Sequence, residues 1–301
     1  MKLTPPADQQ IESVTGLAII DRTTIQLGHL SWVERLRVHQ SDTGNTLVLK
    51  TVCRALAHER HVHAAVQDYS ICAPKLLAAD DASADHDAWI LLSDVEKVTF
   101  DELRADEATQ ALVALAAVHQ ACLGRPDVTD IPRRDLSWLA EHSHETAEHL
   151  TFLIQRQGLD LGMASIPVYC EQLKMLAERH GAQELTVVHG DFDPGNVVCL
   201  SSGQFASLDW GLGHLNTPLV DFAHMAERFT RVEQDQIGAA FANAVGLPQR
   251  IDDLMLETGL IAHRAFFIWW HAMIVAEGWA PIDDFQHAIA QRVGFVTDRT
   301  E

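Results

Sequence analysis

Positive charge is scarce in this chain. Its 301 residues hold 22 lysines and arginines against 42 aspartates and glutamates, a formal charge of −20 at pH 7. Such a polyanion is repelled by nucleic acid and by anionic membrane surfaces, so neither is expected as a partner. Cationic ligands and divalent metals are attracted instead, although the plainer reading is that the acidic surface only keeps the protein in solution. Cysteine is sparse and poorly placed for bridging. Cys53, Cys72, Cys122, Cys170 and Cys199 are scattered, odd in number and without a CxxC pair. They read as the reduced thiols of a cytoplasmic protein. The opening MKLTPPADQQ has no apolar run of signal-peptide type. The most hydrophobic late stretch, 260–276, contains His263, Arg264 and His271 and is short for a bilayer span; it is expected to be a buried helix. Histidine is plentiful, with 17 copies. The group His58, Glu59, Arg60, His61, His63 nonetheless makes a poor metal site, because His61 and His63 point to different helix faces and no second cluster answers them.

What is present suits two lobes. The chain is 47% hydrophobic, enough for a large core, and its length favours two units over one. Up to residue 95 it reads as strands with few helices. Strands are expected at 23–26, 32–39, 46–52 (TLVLKTV) and 89–92, with a hairpin signal at 41–45 and a helix over 55–67. From residue 96 onward helices dominate, at 101–122, 136–157 and 168–179, and again from Pro218 to the end with breaks at 246–248 and Pro281. Short apolar runs at 185–188, 197–200 and 205–208 look like small hairpin strands within the helical part. Neither repeats nor a low-complexity linker separates the two parts. The fold class expected is α+β, a β-rich N-lobe over 1–95 and a mainly α-helical C-lobe over 96–301.

The chemistry concentrates around VVHGDFDPGN, residues 187–196. Asp191 follows a strand, Asn196 lies five residues on, and Asp209 follows a further apolar run in SLDWG. Phosphoryl transfer needs a carboxylate to orient and deprotonate the acceptor hydroxyl, and oxygen ligands to hold Mg²⁺ on the nucleotide phosphates. Mg²⁺ keeps several waters, so one Asn and one Asp suffice from the protein. Alone, HGDFDPGN is also a plain surface turn, since Asp, Pro, Gly and Asn are all turn residues; Asp209 at this spacing argues against that.

HGDFDPGN resembles the HGDxxxxN loop of the aminoglycoside phosphotransferase/choline kinase family, a small-molecule branch of the protein-kinase-like fold. Asp209-Trp210-Gly211 resembles the second metal-binding motif of that fold, and Pro218, Asp221 and Ala223 match the downstream P-x-x-D-x-A element. The resemblance implies a catalytic role for Asp191, metal ligation by Asn196 and chiefly Asp209, and a structural, loop-holding role for His189. Asp193 has no implied role and reads as a solvated turn carboxylate. The helix ending Leu115-Ala116-Ala117-Val118-His119 is similar to the family's L-A-x-L-H helix; from the residues alone, His119 is a core histidine making one hydrogen bond.

The N-lobe supports the same reading. A kinase-like N-lobe needs a strand lysine on the phosphates and a helix glutamate to hold it. Lys50 lies near the end of TLVLKTV. In the next helix Leu56, Glu59, Val62, His63 and Val66 recur at intervals of three and four, which puts Glu59 on the inward stripe. A buried carboxylate needs a partner, and Lys50 is the nearest by topology. Gly28 and Ser31 are the candidates for covering the phosphates, by backbone amides and a hydroxyl, in the absence of G-x-G-x-x-G. The stretch 90–95 resembles the linker between lobes, where backbone groups of Ser93 and Val95 would bond the adenine edge.

The cofactors expected are ATP or GTP with Mg²⁺. Protein-kinase activity is disfavoured, because Pro218 follows Asp209 by nine positions and leaves no room for an activation segment. A catalytically dead nucleotide-binding scaffold is the rival of another class, but Lys50, Asp191 and Asp209 are all present. The acceptor is expected to be a small hydroxylated molecule. Net charge favours an aminoglycoside-like polycation, held by carboxylates such as Glu227, Asp253, Glu257, Glu277, Asp283 and Asp284; choline-like, sugar and macrolide acceptors are the alternatives. The resemblance departs at Asn216-Thr217, where the family often has Gly-Asp near the substrate side. Monomer and homodimer are both compatible with the sequence.

Overall fold

The computed structural model describes residues 3–39, 45–67, 73–95, 97–125, 128, 130–180, 184–247 and 250–298. Cys72, Glu96, Pro248 and residues 41–44 of the expected hairpin turn lie outside them. After a short helix α1 (Asp8–Thr15) the chain forms β1 (Ala18–Leu27), β2 (Ser31–His39), β3 (Asn45–Val52), β4 (Leu76–Asp80) and β5 (Ala88–Ser93). These make one antiparallel sheet in the order β1-β2-β3-β5-β4. Strand alternation gives the sheet two different faces. Leu36, Val38, Leu47, Leu49, Trp89 and Leu91 lie on one face and pack with Ile11 of α1. On the opposite face Val33 sits across from Lys50, and Arg35 across from Val48.

Between β3 and β4 the expected single helix is two pieces, a turn at Arg54–Leu56 and α2 (Glu59–Val66). The break has a packing cause. Leu56 joins one hydrophobic cluster with the late helices, whereas Val62 and Val66 join another.

The rest of the chain is largely helical: β6 (Lys97–Thr99), α3 (Ala105–Cys122), α4 (Leu136–Glu141), α5 (Ser143–Gln157), α6 (Ser165–His180), β7 (Thr186–Val188), β8 (Val197–Leu200), β9 (Phe205–Ser207), β10 (His214–Asn216), α7 (Leu219–Ala226), α8 (Arg231–Val245), α9 (Asp253–Ala276) and α10 (Gln286–Thr297). The helix expected at 101 starts at Ala105, where the Glu107 side chain accepts the Arg104 amide at 2.9 Å. The helix expected over 136–157 is divided at His142, and Asp135 caps its first half by accepting from the Trp138 amide at 3.1 Å. β8 and β9 form a hairpin extended by β6, while β7 pairs with β10.

α9 is 24 residues long, longer than expected, and apolar enough to cross a membrane, but 78% of its most apolar window is buried. Burial rather than length marks it as a core helix. It crosses α7 so closely that a Cβ on Gly259 would lie 2.4 Å from the carbonyl oxygen of Leu219. Gly294 in α10 has nothing within 4 Å of the same position. Gly259→Ala is therefore expected to cost about 1–3 kcal/mol through overpacking, a fall in Tm of several degrees. Gly294→Ala should instead raise stability by about 0.5–1 kcal/mol through helix propensity. Paired thermal melts check the opposite signs.

Candidate active site

Two loops meet beneath the sheet. The first, residues 187–196, leaves β7 and is held from below by Asp221 of α7. The Asp221 carboxylate accepts from the amides of His189 at 2.7 Å and Gly190 at 2.9 Å, and from His119 Nε2 at 3.0 Å. Asp221 and His119 are both fully buried. Burial alone would push the Asp221 pKa up, but the His119 hydrogen bond and charge and the loop amides hold it below the ordinary carboxylate value. His119 is thus a core histidine with one side-chain partner, as expected. Gly190 has φ +81°, and a Cβ there would meet the Leu212 carbonyl at 2.4 Å, so no other residue fits.

His189 joins this loop to the second one. Its Nε2–H donates to the Leu208 carbonyl at 2.8 Å, and its Nδ1 accepts from the Asp191 amide at 3.3 Å. The Leu208 amide in turn donates to the Asn196 carbonyl at 2.8 Å. The next residue, Asp209, has φ 60° and ψ 65°; among the described residues it is the one non-glycine in the left-handed region. Aspartate tolerates that conformation better than most residues, and the bonds on both sides over-determine it.

Lys50 closes the arrangement from the sheet. Its ammonium lies 2.8 Å from Glu59 Oε1 and 2.6 Å from Asp209 Oδ1. Burial opposes the charge on Lys50, yet Asp209 and Glu59 together hold its pKa above the ordinary lysine value. Glu59 is pushed up by burial and pulled down further by Lys50, so it ends low; Asp209 is held low chiefly by Lys50. Glu59 is 1% exposed, whereas the Asp209 side chain, 53% exposed, opens into the cleft. His63 stands 3.7 Å from Glu59 on the inside, while His61 faces Asp130 at 3.8 Å, so the histidines flanking Glu59 diverge.

Asn196 Nδ2 donates to the Asp191 carbonyl at 2.8 Å and to Asp191 Oδ2 at 3.1 Å, which fixes the Asp191 side chain. Burial raises the Asp191 pKa. Asp193 is a turn carboxylate, but an engaged one: it caps the turn Pro194–Asn196 by accepting from the Gly195 amide at 2.8 Å, and it pairs with Arg228 at 3.6 Å.

The cleft has a volume of about 280 Å³. Ile25, Val33, Val48 and Leu92 form its apolar end, and Lys50, Asn196 and Asp209 its polar end. Ser93 and Val95 line its edge. The Ser93 amide already donates to the Lys75 carbonyl at 2.9 Å, so any backbone contribution of Ser93 to a ligand edge falls to its carbonyl. Gly28 and Ser31 close the tip of the β1–β2 hairpin, the Gly28 amide donating to the Ser31 carbonyl at 2.9 Å; they lie beyond the residues that line the cleft. Asn216 is fully buried, donating to the Arg134 carbonyl at 3.0 Å and accepting from the Thr217 amide at 2.8 Å. Sequence reasoning gave Asp221 no task, although a lone acid in the apolar helix LVDFAHMA was the available signal. The Arg35–Asp94 pair beside the cleft, 2.7 Å apart, carried none.

A small twisted sheet over a helical lobe, with a lysine, a glutamate and two loop aspartates converging between them, is the two-lobed architecture of kinase-like phosphotransferases. Residues 31–254 match the model of the phosphotransferase enzyme family, and the chain belongs to that family. Solved structures share the fold. A thermostable mutant of aminoglycoside phosphotransferase APH(4)-Ia, in a ternary complex with ADP and hygromycin B, has a TM-score of 0.60 and 16% identity, covering 97% of this chain and 96% of that one. Choline kinase LicA from Streptococcus pneumoniae has a TM-score of 0.65 and 11% identity, covering 97% of each chain. Spectinomycin phosphotransferase APH(9)-Ia, in complex with ADP and spectinomycin, has a TM-score of 0.60 and 12% identity, again covering 97% of each. A search of curated proteins gave no match.

Removing one member of a buried ion pair leaves the other charge uncompensated, at about 3–5 kcal/mol. Lys50→Met and Glu59→Gln should each lower stability markedly, and the double variant should lose clearly less than their sum. Denaturant unfolding of the four proteins measures this; additive losses would mean that the pair is not the contact described.

Proposed function

We propose that this protein transfers the γ-phosphate of ATP or GTP to a hydroxyl of a small molecule, with Mg²⁺ on the nucleotide. The carrying observation is that Lys50, Asp209 and Asn196 line the polar end of one cleft with an apolar end, and that Asn196 is bonded to the Asp191 carboxylate beside it. A purine fits against Ile25, Val33, Val48 and Leu92, with backbone groups of Ser93 and Val95 at its edge. Lys50, kept charged by Glu59, receives phosphate oxygens; the hairpin tip at Gly28 and Ser31, outside the cleft lining, is the segment expected to cover them once a nucleotide is bound. Asp191 takes the proton of the acceptor hydroxyl as its oxygen attacks the γ-phosphorus and the β–γ bridge oxygen leaves. Asn196 aims its amide nitrogen at Asp191, so the Asp191 carboxylate is oriented before an acceptor arrives.

The residues fit Mg²⁺. Asn196 uses its amide nitrogen internally and keeps Oδ1, and Asp209 uses Oδ1 on Lys50 and keeps Oδ2. Two oxygen donors beside a phosphate site match a cation that retains most of its waters. When bound it would neutralise charge on the β- and γ-phosphate oxygens. Cys53, Cys122, Cys170 and Cys199 are in no disulfide, in keeping with a cytoplasmic enzyme that draws on ATP.

The aminoglycoside-like acceptor suggested by net charge has the company of neighbours solved with hygromycin B and spectinomycin. The alternatives are other hydroxylated small molecules, namely sugars, choline-like alcohols and macrolides. The dead-scaffold alternative separates from this proposal by turnover. Asp191→Ala is expected to lower kcat about a thousandfold while MgATP still binds. Because Asp191 must be ionised to act and burial raises its pKa, kcat/KM should fall with acidification at a pH above the ordinary carboxylate value of about 3.9. Near-normal turnover by Asp191→Ala, or no acid limb above that pH, would contradict the assignment.

A further inference from the structure

A second cavity, of about 400 Å³, shares no lining residue with the nucleotide cleft. Small-molecule sites run from about 300 to 1,000 Å³, so it is large enough to hold a ligand. Leu212 and His214 form its wall towards the catalytic loop: a Cβ on Gly190 would lie 2.4 Å from the Leu212 carbonyl oxygen and 3.0 Å from the His214 ring. Phe266, Trp269 and Trp270 of α9 and the nearby Trp279 give the cavity aromatic surface. His214 already stacks on Phe266 at 4.3 Å, and the Arg134 guanidinium lies 4.6 Å from the centre of the Trp269 ring. Trp270 and Trp279 have no such cover among the described residues.

The ionic groups of this wall lack partners. Arg133 is satisfied by Asp135 at 2.7 Å, whereas its neighbour Arg134 lines the cavity with no carboxylate in ion-pair distance among the described residues. The Arg134 guanidinium donates to the Arg133 carbonyl at 2.7 Å. Burial lowers its pKa to about 10, and Glu145 is the one charge that acts the other way. Glu145, in the first turn of α5, lines the same cavity half-buried, and its carboxylate has neither a hydrogen bond nor an ion pair among the described residues. Trp269, 7% exposed, leaves its indole N–H without an acceptor. The imidazoles add no charge. His58 donates to the Gly213 carbonyl at 3.1 Å and His214 to the Leu212 carbonyl at 2.8 Å, and burial lowers both pKa values, that of His214 to about 4. Asp130, the other acid of the lining, has a side chain 75% exposed and belongs to the solvent.

One cation and one anion therefore face a single aromatic cavity, each short of a partner and too far apart to serve each other. Partly desolvated charge without a partner is unfavourable, and a charged hydrogen bond from a ligand removes the penalty. A simple cation would relieve Glu145 and sit against Arg134; a simple anion would do the reverse. A molecule carrying both signs relieves both groups. We propose that this cavity is a second ligand site, distinct from the nucleotide cleft, that takes a small zwitterion with a planar apolar body, of the chemistry of an aromatic α-amino acid. Its carboxylate is received by Arg134 and the Trp269 indole N–H, its ammonium by Glu145, and its ring by Trp270 and Trp279. The site goes beyond the phosphotransfer reading and stands whether or not the cleft transfers phosphate.

Three of the seven tryptophans line the cavity, so intrinsic fluorescence reports its occupancy. The test titrates the full chain with phenylalanine, with phenethylamine, which lacks the carboxylate, with N-acetylphenylalanine, which lacks the ammonium, and with choline. Phenylalanine should bind saturably, and the other three at least tenfold more weakly. Arg134→Gln should weaken phenylalanine at least tenfold and leave phenethylamine as it was. Glu145→Gln should weaken phenylalanine likewise and leave N-acetylphenylalanine as it was. Thermal melts show that each variant is folded, and Glu145, without a partner to lose, keeps the test open if Arg134→Gln does not fold. A merely structural role for these residues would weaken all probes alike and would overturn the proposal. Equal binding of phenethylamine or choline, no saturable binding by any probe, or displacement of phenylalanine by MgATP would overturn it too. Failure of MgATP to bind while phenylalanine binds as described would instead count against the kinase reading and leave this site standing.

Discussion

The ammonium of Lys50 is the constraint on which the site depends. A buried cation must be compensated, and its two partners come from parts of the chain far apart in sequence: Glu59 opens α2, and Asp209 follows β9. Their meeting fixes the sheet, the helix beneath it and the helical lobe relative to one another. It also explains the small residues beside Asp209. A Cβ at Gly211 would lie 3.3 Å from Asp209, Glu59 and Lys50 side-chain atoms, and one at Gly213 would lie 2.7 Å from Val62. The chain can bring a carboxylate this close to the lysine only where its own bulk vanishes.

Asp221 does for the catalytic loop what Lys50 does for the lobes. It satisfies two loop amides and a buried histidine at once, and so removes the penalty of burying any of them. His189 then ties that loop to the one bearing Asp209. With backbone and flanking side chains held, Asp191 has only Asn196 as a side-chain hydrogen-bond partner among the described residues and is otherwise left for a ligand. Asp221 has both carboxylate oxygens engaged, and the proposed reactive Asp191 has one.

The features legible in the sequence were those encoded locally. HGDFDPGN and SLDWG carried turn residues and acids at informative spacing, and the position of Glu59 on the inward stripe of α2 followed from helical periodicity. β4 and β10 were missed for different reasons: LLAAD lacks strand alternation, and His214–Asn216 is only three residues long, held by its pairing with β7. The break before α2 arises from contacts with remote helices, and the burial of Asn216 from its bond to the backbone of Arg134, so neither was written in the adjacent residues. Net charge does not by itself select the acceptor. It is a sum over the whole surface, whereas the surroundings of Asp191 are set by the few groups that fold beside it, His189, His224, Asp193 and Asp209 among them.

The account's central claim is that Asp209, tied to Lys50, also holds the cation on the nucleotide. The direct measurement is calorimetric titration of ATP with and without Mg²⁺, for the wild type and for Asp209→Asn. The account predicts that Mg²⁺ strengthens ATP binding to the wild type at least tenfold and that this gain is largely lost in Asp209→Asn, while metal-free affinity changes much less. An equal gain from Mg²⁺ in both proteins would contradict it.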